Sequence, residues 1–308
     1  MSSLREEAAR YLETRRALGF KMEGEGRLLE QFTAFAGSAG ADTVTTELAL
    51  GWATLPATGS ASWHARRLAV VRGFAFWLCA ADPRAQVPPA GLLPGRARRT
   101  VPYLYSGADI TALITAAGRL SPPWKAVTMR AFTGLLFATG CRLGEALSLD
   151  RGDLDQDTGL LTIRETKARR PRQLPLHPTA AAALASYAHR RDREWARPAT
   201  TAFFVSSTGA RLARTTVQET FRRLLRETGI YDRAGALRPR IHGARHTFAV
   251  TTLAGWYRDG ADVQERLPLL STWLGHSDPR HTYYYLSAAP ELLTLAAGRL
   301  ERPEEGTS

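Results

Sequence analysis

The 308-residue sequence has two cysteines, Cys79 and Cys141, too few for a disulfide framework or a cysteine-rich zinc site. Both lie among apolar residues, so we expect small core side chains rather than reactive thiols. No stretch approaches the roughly 18 uninterrupted apolar residues of a transmembrane helix. The first residues also lack the apolar core of a signal peptide, so we expect a cytoplasmic protein with no membrane partner.

Acidic side chains are outnumbered, with 29 Asp and Glu against 41 Lys and Arg, and the formal net charge is +12. A surplus of this size indicates a polyanionic partner, with nucleic acid favoured over a membrane surface. Lysine is rare among the basic residues and occurs only at Lys21, Lys125 and Lys167. The apolar share of 44% and charged share of 23% are those of a globular protein, and the length fits two domains.

The domain boundaries follow from composition and periodicity. Residues 1–82 place apolar side chains at helical spacing and are predicted to form a helical domain. Residues 83–102 contain five prolines, which cannot lie inside one helix, so we expect an extended linker. A second domain is predicted over 103–300, followed by a charged tail at 301–308. The linker carries a basic run, Arg96, Arg98 and Arg99. This run is expected either to contact DNA phosphates or to be solvated without contacts.

The second domain is predicted to be mostly helical with one small β-hairpin. Two short strands are expected, at Leu160–Ile163 and Gln173–Leu176. Several helices are expected after them, at about 178–196, about 214–228, from near His242, about 263–274 and about 289–300. The loop between the strands is basic and suits contacts with DNA phosphates through Arg164, Arg169, Arg170 and Arg172.

One segment that suggests chemistry reads A-T-G-C-R-L-G-E over residues 138–145. Gly140 is expected to end a helix, and Arg142 to begin a short one. Arg142 and Glu145 then share a helical face, which by itself is also compatible with a surface ion pair. Apolar neighbours on both sides place Arg142 at the edge of a core. There it needs an anionic partner, and a phosphate fits the guanidinium fork.

Lys167 is the one lysine within the basic loop of the hairpin. Nearby guanidinium groups lower the pKa of an ammonium, because like charges disfavour its protonated form. A lysine in this setting is able to release a proton to a leaving oxygen. The alternative is a solvated hairpin tip without a chemical role.

The segment I-H-G-A-R-H, residues 241–246, holds His242 and His246 four positions apart. This spacing suits a metal, but Gly243 stands where the zinc-protease pattern has its acidic residue, so a metal site is disfavoured. His242 and Arg245 share a helical face. His246 is expected to pack or hydrogen-bond inside the domain.

A further segment, residues 270–286, has Gly275 at the end of an apolar helix, then His276, then three tyrosines. Aromatic runs are usually core residues. Tyrosine is nevertheless a competent nucleophile when its proton is removed, and nearby cations would have to offset its normal pKa of about 10.

Taken together and in this order, the four segments resemble the tyrosine recombinase (phage integrase) family, which includes the Xer recombinases, Cre and lambda integrase. The matching boxes are T-G-x-R-x-x-E, K-x-x-x-x-R-x-x-P-L, H-x-x-R and L-G-H, with the nucleophile nine residues after the last His. By this resemblance the catalytic residues are Arg142, Lys167, His242, Arg245, His276 and Tyr285, with Glu145 in support. Many relatives carry an acidic residue directly after the first His of the third box, where this chain has Gly243, which leaves the packing of that helix start open.

The resemblance implies a mainly α fold with a small β-hairpin or sheet in the catalytic domain. It also implies that this domain and an N-terminal helical core-binding domain form a C-shaped clamp around double-stranded DNA. The implied activity is site-specific recombination through a 3′-phosphotyrosyl intermediate, as in DNA integration or excision, without metal, ATP or other cofactor.

The partners implied are a specific core site, three further protomers in a tetramer on two DNA sites, and sister recombinases or accessory proteins. In such a tetramer the helix at about 289–300 would dock on a neighbouring protomer, with packing on its own domain as the open alternative. Two other functions stay open, namely a type IB topoisomerase-like relaxase and a non-catalytic DNA-binding regulator on the same fold.

Overall fold

A computed structural model describes residues 3–55, 57–95, 101–164, 171–195, 199–276 and 278–288. The chain divides into two compact units, Met1–Arg99 and Thr100–Ser308. Helices dominate, and one three-stranded antiparallel sheet is present in the described part, which confirms the predicted fold class. None of the helices in the described ranges is long and apolar enough to cross a membrane.

The first unit is helical. Three of its helices begin at a hydroxyl side chain, Ser3, Thr45 or Ser60, that accepts a hydrogen bond from a backbone N–H of the first turn. Phe32 and Phe74 are fully buried in its core. The helices of this unit are α1 (Leu4–Ala17), α2 (Glu23–Ser38), α3 (Thr46–Thr54) and α4 (Ala61–Leu78).

The first half of the predicted linker packs on the first unit. Ala85 is buried in the core of that unit, and Leu93 packs against the same core. The backbone N–H of Gln86 donates to the carbonyl oxygen of Val44 at 2.7 Å. Prolines prevent a helix here, but they do not prevent apolar side chains from being buried. The predicted phosphate contacts Arg96, Arg98 and Arg99 lie outside the described residues.

The second unit is built around one long buried helix, α6, whose Phe132 and Leu135 lie at the centre of the core. Short helices and longer amphipathic ones surround it. The helices of this unit are α5 (Gly107–Ala117), α6 (Pro123–Thr139), α7 (Leu143–Ser148), α8 (Pro178–Glu194), α9 (Arg214–Glu227), α10 (Ile230–Arg233), α11 (Gly243–Arg258), α12 (Val263–Leu274) and α13 (Arg280–Ala288).

The sheet has the order β1-β2-β3, with all neighbours antiparallel. Its strands are β1 (Leu154–Asp155), β2 (Leu160–Ile163) and β3 (Arg172–Pro175). The prediction of β2 is confirmed, whereas β3 begins and ends one residue earlier than predicted and β1 was not predicted. A two-residue strand shows no alternation that a sequence pattern could reveal.

Candidate active site

The end of α6 requires glycine. Gly140 has a φ of +62°, and a Cβ atom there would lie 2.6 Å from Cδ1 of Phe248. The chain therefore turns in the left-handed conformation without a side chain and leads directly into Arg142, which precedes α7. Glu145 in the first turn of α7 accepts from the Arg142 backbone N–H at 2.9 Å and from Arg142 Nη1 at 2.8 Å. The predicted pair of Arg142 and Glu145 is thus formed.

Glu145 has a second arginine partner at the beginning of β3. Arg172 donates to both carboxylate oxygens, at 3.2 Å to Oε1 and 2.8 Å to Oε2. Burial by itself would raise the pKa of Glu145, but hydrogen bonds and charge from Arg172 and Arg142 outweigh it and lower this pKa. The Arg172 side chain was predicted to contact DNA from the hairpin, yet it is only 8% exposed and points into the domain.

Arginine side chains of the site meet at the carboxyl end of α12. Terminal carbonyl oxygens of a helix have no partners within the helix and carry partial negative charge. Here three consecutive carbonyl oxygens each accept from a guanidinium: Trp273 from Arg172 at 2.7 Å, Leu274 from Arg245 at 2.7 Å, and Gly275 from Arg142 at 2.8 Å. Residues distant in sequence are thereby held around one helix end.

Arg245 is buried in the first turn of α11. Its Nη1 donates to the carbonyl oxygen of Gly140 at 3.0 Å, while Nη2 donates to Leu274. One side chain thus connects the end of α6 to the end of α12, which fixes its guanidinium beside that of Arg142.

The start of α11 explains the departure at Gly243. A Cβ atom at this position would lie 2.7 Å from Cε2 of Tyr105 and 3.1 Å from the carbonyl oxygen of Tyr103. Tyr105 is held there by a hydrogen bond from its hydroxyl to the carbonyl oxygen of Arg240 at 2.9 Å. A larger residue after His242 would displace this tyrosine, so glycine suits the local packing.

Two imidazole rings are in contact beside the arginines. The centroids of His242 and His246 are 4.8 Å apart. Although His242 is exposed on one side, desolvation by the surrounding protein first, and then the charges of Arg245 and Arg142, lower the pKa of its imidazole. Burial and the neighbouring His242 and Arg245 lower the pKa of His246 to about 4. Both rings are therefore neutral at physiological pH, and within the described residues His246 Nδ1 is buried without a hydrogen-bond partner. The prediction that His246 packs inside the domain is confirmed.

His276 directly follows Gly275, whose φ of +66° ends α12. Its Nδ1 is 2.7 Å from Oγ1 of the buried Thr282. Its ring is stacked on that of Tyr285, with centroids 6.2 Å apart and an interplanar angle of 20°. Burial, together with surrounding cations, lowers the pKa of His276 to about 3, so the ring is neutral.

Among the three tyrosines of α13, Tyr285 is the most deeply buried against this cluster. It is 3% exposed, whereas Tyr284 is half-buried and Tyr283 is 49% exposed. The Tyr284 ring also approaches the cluster, with its centroid 6.4 Å from that of His246. The Tyr285 ring also lies 5.5 Å from the His246 ring, centroid to centroid. Burial raises the pKa of the Tyr285 phenol, while the charges of Arg245 and Arg142 oppose the rise.

The structure thus brings Arg142, Glu145, His242, Arg245, His276 and Tyr285 to one region. Of the predicted DNA contacts, Arg164 is paired with Asp153 and its side chain is largely exposed. Lys167, Arg169 and Arg170 lie outside the described residues. The described ranges contain no cluster of three or more His, Cys, Asp or Glu side chains that could hold a metal.

Sequence reasoning missed the inward position of Arg172 and the roles of Trp273 and Thr282. Trp273 donates from its indole N–H to the carbonyl oxygen of Thr139 at 2.8 Å, which ties α12 to the end of α6. The available signal for Thr282 was its position three residues before Tyr285, on the same helical face. For Arg172 no local pattern separates an inward from an outward side chain at the end of a strand.

The chain is similar to known proteins in sequence and in fold. A model described as the phage integrase family matches residues 106–291. A protein of Sinorhizobium fredii (strain NBRC 101917 / NGR234), y4rB, whose name describes it as an integrase/recombinase, is 42% identical over 308 residues, covering 98% of this chain and 98% of that protein. The tyrosine recombinase XerC of Azotobacter vinelandii (strain DJ / ATCC BAA-1303) is 30% identical over 221 residues, covering 72% of this chain and 68% of its own.

The fold has solved counterparts. The structure of the Tn1549 transposon integrase in complex with transposon right end DNA aligns with a TM-score of 0.65 at 16% identity. The alignment covers 98% of this chain and 99% of that one. At this identity the likeness concerns the fold alone.

Proposed function

The chain belongs to the phage integrase family, and from that premise we propose that it cuts and rejoins DNA strands at a specific site with Tyr285 as the nucleophile. The observation that supports this most directly is the position of Tyr285, which is buried with its ring 5.5 Å from that of His246 and 6.2 Å from that of His276, within the field of Arg245 and Arg142. A buried phenol with two guanidinium groups beside it has the arrangement needed to attack a phosphodiester whose negative charge those groups stabilise.

The two arginines are suited to the non-bridging phosphate oxygens. An arginine side chain has five N–H donors. Within the described residues, two donors of Arg142 are used by Glu145 and Gly275, which leaves others for an anion. The Arg142 side chain is 27% exposed, so a DNA phosphate is able to reach it. Fixed donors of this kind act in the transition state without a cost of reorganisation.

The proposed step moves one proton away from the nucleophile and one proton onto the leaving group. The Tyr285 oxygen forms a bond to phosphorus, and the bond from phosphorus to the 5′ oxygen breaks. The neutral His242 is assigned to accept the phenolic proton, and His276 to hydrogen-bond the phosphate. Lys167, which lies outside the described residues, is assigned to protonate the departing 5′ oxygen.

The proposal includes neither a metal ion nor ATP. The 3′-phosphotyrosyl bond retains the energy of the broken phosphodiester, so the attack of a second 5′ hydroxyl restores a strand without further input. Arginine, lysine and histidine side chains supply the charge stabilisation that a metal supplies in other nucleases. The first unit is assigned to bind the same duplex, and the functional assembly is proposed to be four protomers on two DNA sites.

A suicide substrate tests the proposal. Nicked duplexes from the DNA flanking the gene, together with a randomised library, are incubated with the protein, and adducts that resist denaturation are isolated. The wild-type protein is expected to form a covalent 3′ adduct in the presence of a metal chelator and without ATP. Tyr285→Phe is expected to abolish the adduct but to retain DNA binding in a mobility-shift assay.

Tyr283→Phe is the matched control, since it removes the same hydroxyl from an exposed position of the same helix. An adduct that is lost in Tyr284→Phe and kept in Tyr285→Phe would show that the nucleophile is misassigned. Relaxation of supercoiled plasmid by single protomers, without a preferred site, would instead favour a type IB topoisomerase-like activity. Binding with no adduct from any duplex would favour a regulator.

A further inference from the structure

We propose that Arg172 is a positioning residue that neutralises Glu145 and so keeps the positive charge of Arg142 available to the scissile phosphate. The inference rests on the proposed function and deepens it. Arg172 lies at the beginning of β3 and contacts Glu145 and the end of α12. It therefore acts on the phosphate through Arg142 and is not itself a catalytic residue.

The contacts around Glu145 saturate its carboxylate. Oε1 accepts from Arg142 Nη1 at 2.8 Å and from Arg172 Nη1 at 3.2 Å. Oε2 accepts from the Arg142 backbone N–H at 2.9 Å and from Arg172 Nη2 at 2.8 Å. The Arg172 and Glu145 side chains are 8% and 3% exposed, so both charges are largely removed from water. A carboxylate with four donors holds its guanidinium partners in one geometry.

The charge balance explains why two arginines are needed. A pair of Arg142 and Glu145 alone would be electrically neutral, and the carboxylate would cancel much of the attraction between Arg142 and a phosphate. With Arg172 added, the group of three side chains carries one net positive charge. In a site with little water, one elementary charge has a large effect on an anion a few ångströms away.

Arg172 also fixes the position of this charge. Its Nε donates to the carbonyl oxygen of Trp273 at 2.7 Å, and Arg142 donates to Gly275 two residues later. Both guanidinium groups are therefore tied to the same helix end, directly before His276. The absence of a side chain at Gly275 allows this approach, since a Cβ atom there would lie 2.7 Å from Arg172 Nη1.

Three variants separate charge from geometry. Arg172→Gln is expected to slow adduct formation in single turnover by about 100-fold, as for the loss of a donor that stabilises the transition state. Arg172→Lys keeps the charge without the two-pronged contact and is expected to lose less. The double variant Arg172→Gln with Glu145→Gln removes both charges, so the net charge beside the phosphate returns to one. It is expected to react about tenfold faster than Arg172→Gln alone.

A second substrate distinguishes charge compensation from loss of structure. In a methylphosphonate at the scissile position, a methyl group replaces one non-bridging oxygen and removes the negative charge. If Arg172 acts by making positive charge available, the loss in Arg172→Gln is expected to be about 100-fold on the phosphate and under about tenfold on the methylphosphonate. A merely structural defect would slow both substrates equally.

Arg191→Gln is the matched control. Arg191 is also buried and donates to backbone carbonyls, of Ala202 at 3.0 Å and Thr200 at 3.3 Å, but it has no contact with Glu145 in the described residues. The Arg191→Gln variant is expected to lower the stability of the protein. Its rate of adduct formation relative to wild type should be unchanged on both the phosphate and the methylphosphonate. Equal losses of Arg172→Gln on the two substrates, or a double variant no faster than the single one, would overturn the inference. Failure of the wild-type protein to form an adduct would instead overturn the proposed function.

Discussion

The carbonyl oxygen of Gly275 accepts a hydrogen bond from the Arg142 guanidinium at 2.8 Å, although the two residues are 133 positions apart. This bond joins the segment after α6 to the segment after α12, and the latter leads to His276 and Tyr285. Any change that displaces Gly275 should therefore affect the arginines and the histidine together.

Gly275→Ala tests this connection. The φ of +66° disfavours alanine, and the new Cβ atom would meet Arg172 Nη1 at 2.7 Å. We expect the free energy of unfolding to fall by roughly 1–3 kcal/mol, measured by urea denaturation, and adduct formation to slow. Gly260→Ala is the control, because Gly260 has a φ of +75° with no described atom close to its Cβ position. Equal rates of adduct formation in the two variants would contradict the expected crowding of Arg172.

The pH dependence of stability should report the partly buried imidazole of His246. An unfolded histidine titrates near pH 6.5, whereas the pKa of folded His246 is about 4. Between these values the unfolded chain binds a proton that the folded chain does not, so the free energy of unfolding should fall as the pH falls from about 6.5 to about 4. Denaturation at pH 7 and pH 5 should show a smaller fall in His246→Gln than in wild type.

Trp273 holds α12 against the end of α6 in two ways. Its indole N–H donates to the carbonyl oxygen of Thr139, and its ring is stacked on Phe248 at 5.9 Å. Trp273→Phe keeps the ring contact and loses the hydrogen bond, so we expect a destabilisation of about 1 kcal/mol. The control is Trp63→Phe, at an exposed position, which should leave the stability nearly unchanged. Thermal unfolding of the two variants makes the comparison. Destabilisation of both to the same extent would rule out a specific role for the indole N–H.

The first unit contains an arginine that lysine should not replace. Arg67 stacks over the Trp52 ring at 3.7 Å and donates from Nη2 to the Trp52 carbonyl oxygen at 2.8 Å. An ammonium lacks the planar face and the fork, so Arg67→Lys should destabilise the first unit by roughly 1–3 kcal/mol. Arg66→Lys is the exposed neighbouring control. Amide hydrogen exchange of α3 and α4 in Arg67→Lys locates the destabilisation. Protection equal to that of the wild type would refute it.

The role of Lys167 is tested through the leaving group. Lys167→Ala should lose cleavage of a normal phosphodiester but recover it with sulfur at the 5′-bridging position, because a thiolate departs without an acid. The rate ratio of the two substrates measures the rescue. Arg164→Ala removes a cation from the same hairpin and should show equal rates with both. Cleavage by Lys167→Ala that stays equally slow with sulfur would exclude a proton donor at this position.

Helix α12 shows which features of the structure can be predicted from local sequence. Val263–Leu274 was predicted from apolar periodicity, with Gly275 as the end, and the structure has the same bounds. The strand Leu160–Ile163 was predicted for the same reason. Periodicity and glycine conformation are local properties, so they can be read without knowing the fold. The helix α13, which carries Tyr285, was not predicted, because a run of tyrosines has no periodic contrast between apolar and polar positions.

The direction of Arg172 depends on the tertiary structure. In sequence it is one of several arginines in a basic hairpin, and only the packing of β3 against α12 turns it towards Glu145. Likewise, Tyr283 and Tyr285 have the same side chain, and only the docking of α13 buries one and exposes the other. Composition and short-range spacing are enough to establish which chemical groups are present, their family pattern and most helices. Which of these groups converge on the end of α12 was decided by contacts between residues more than 100 positions apart, and no local propensity encodes those contacts.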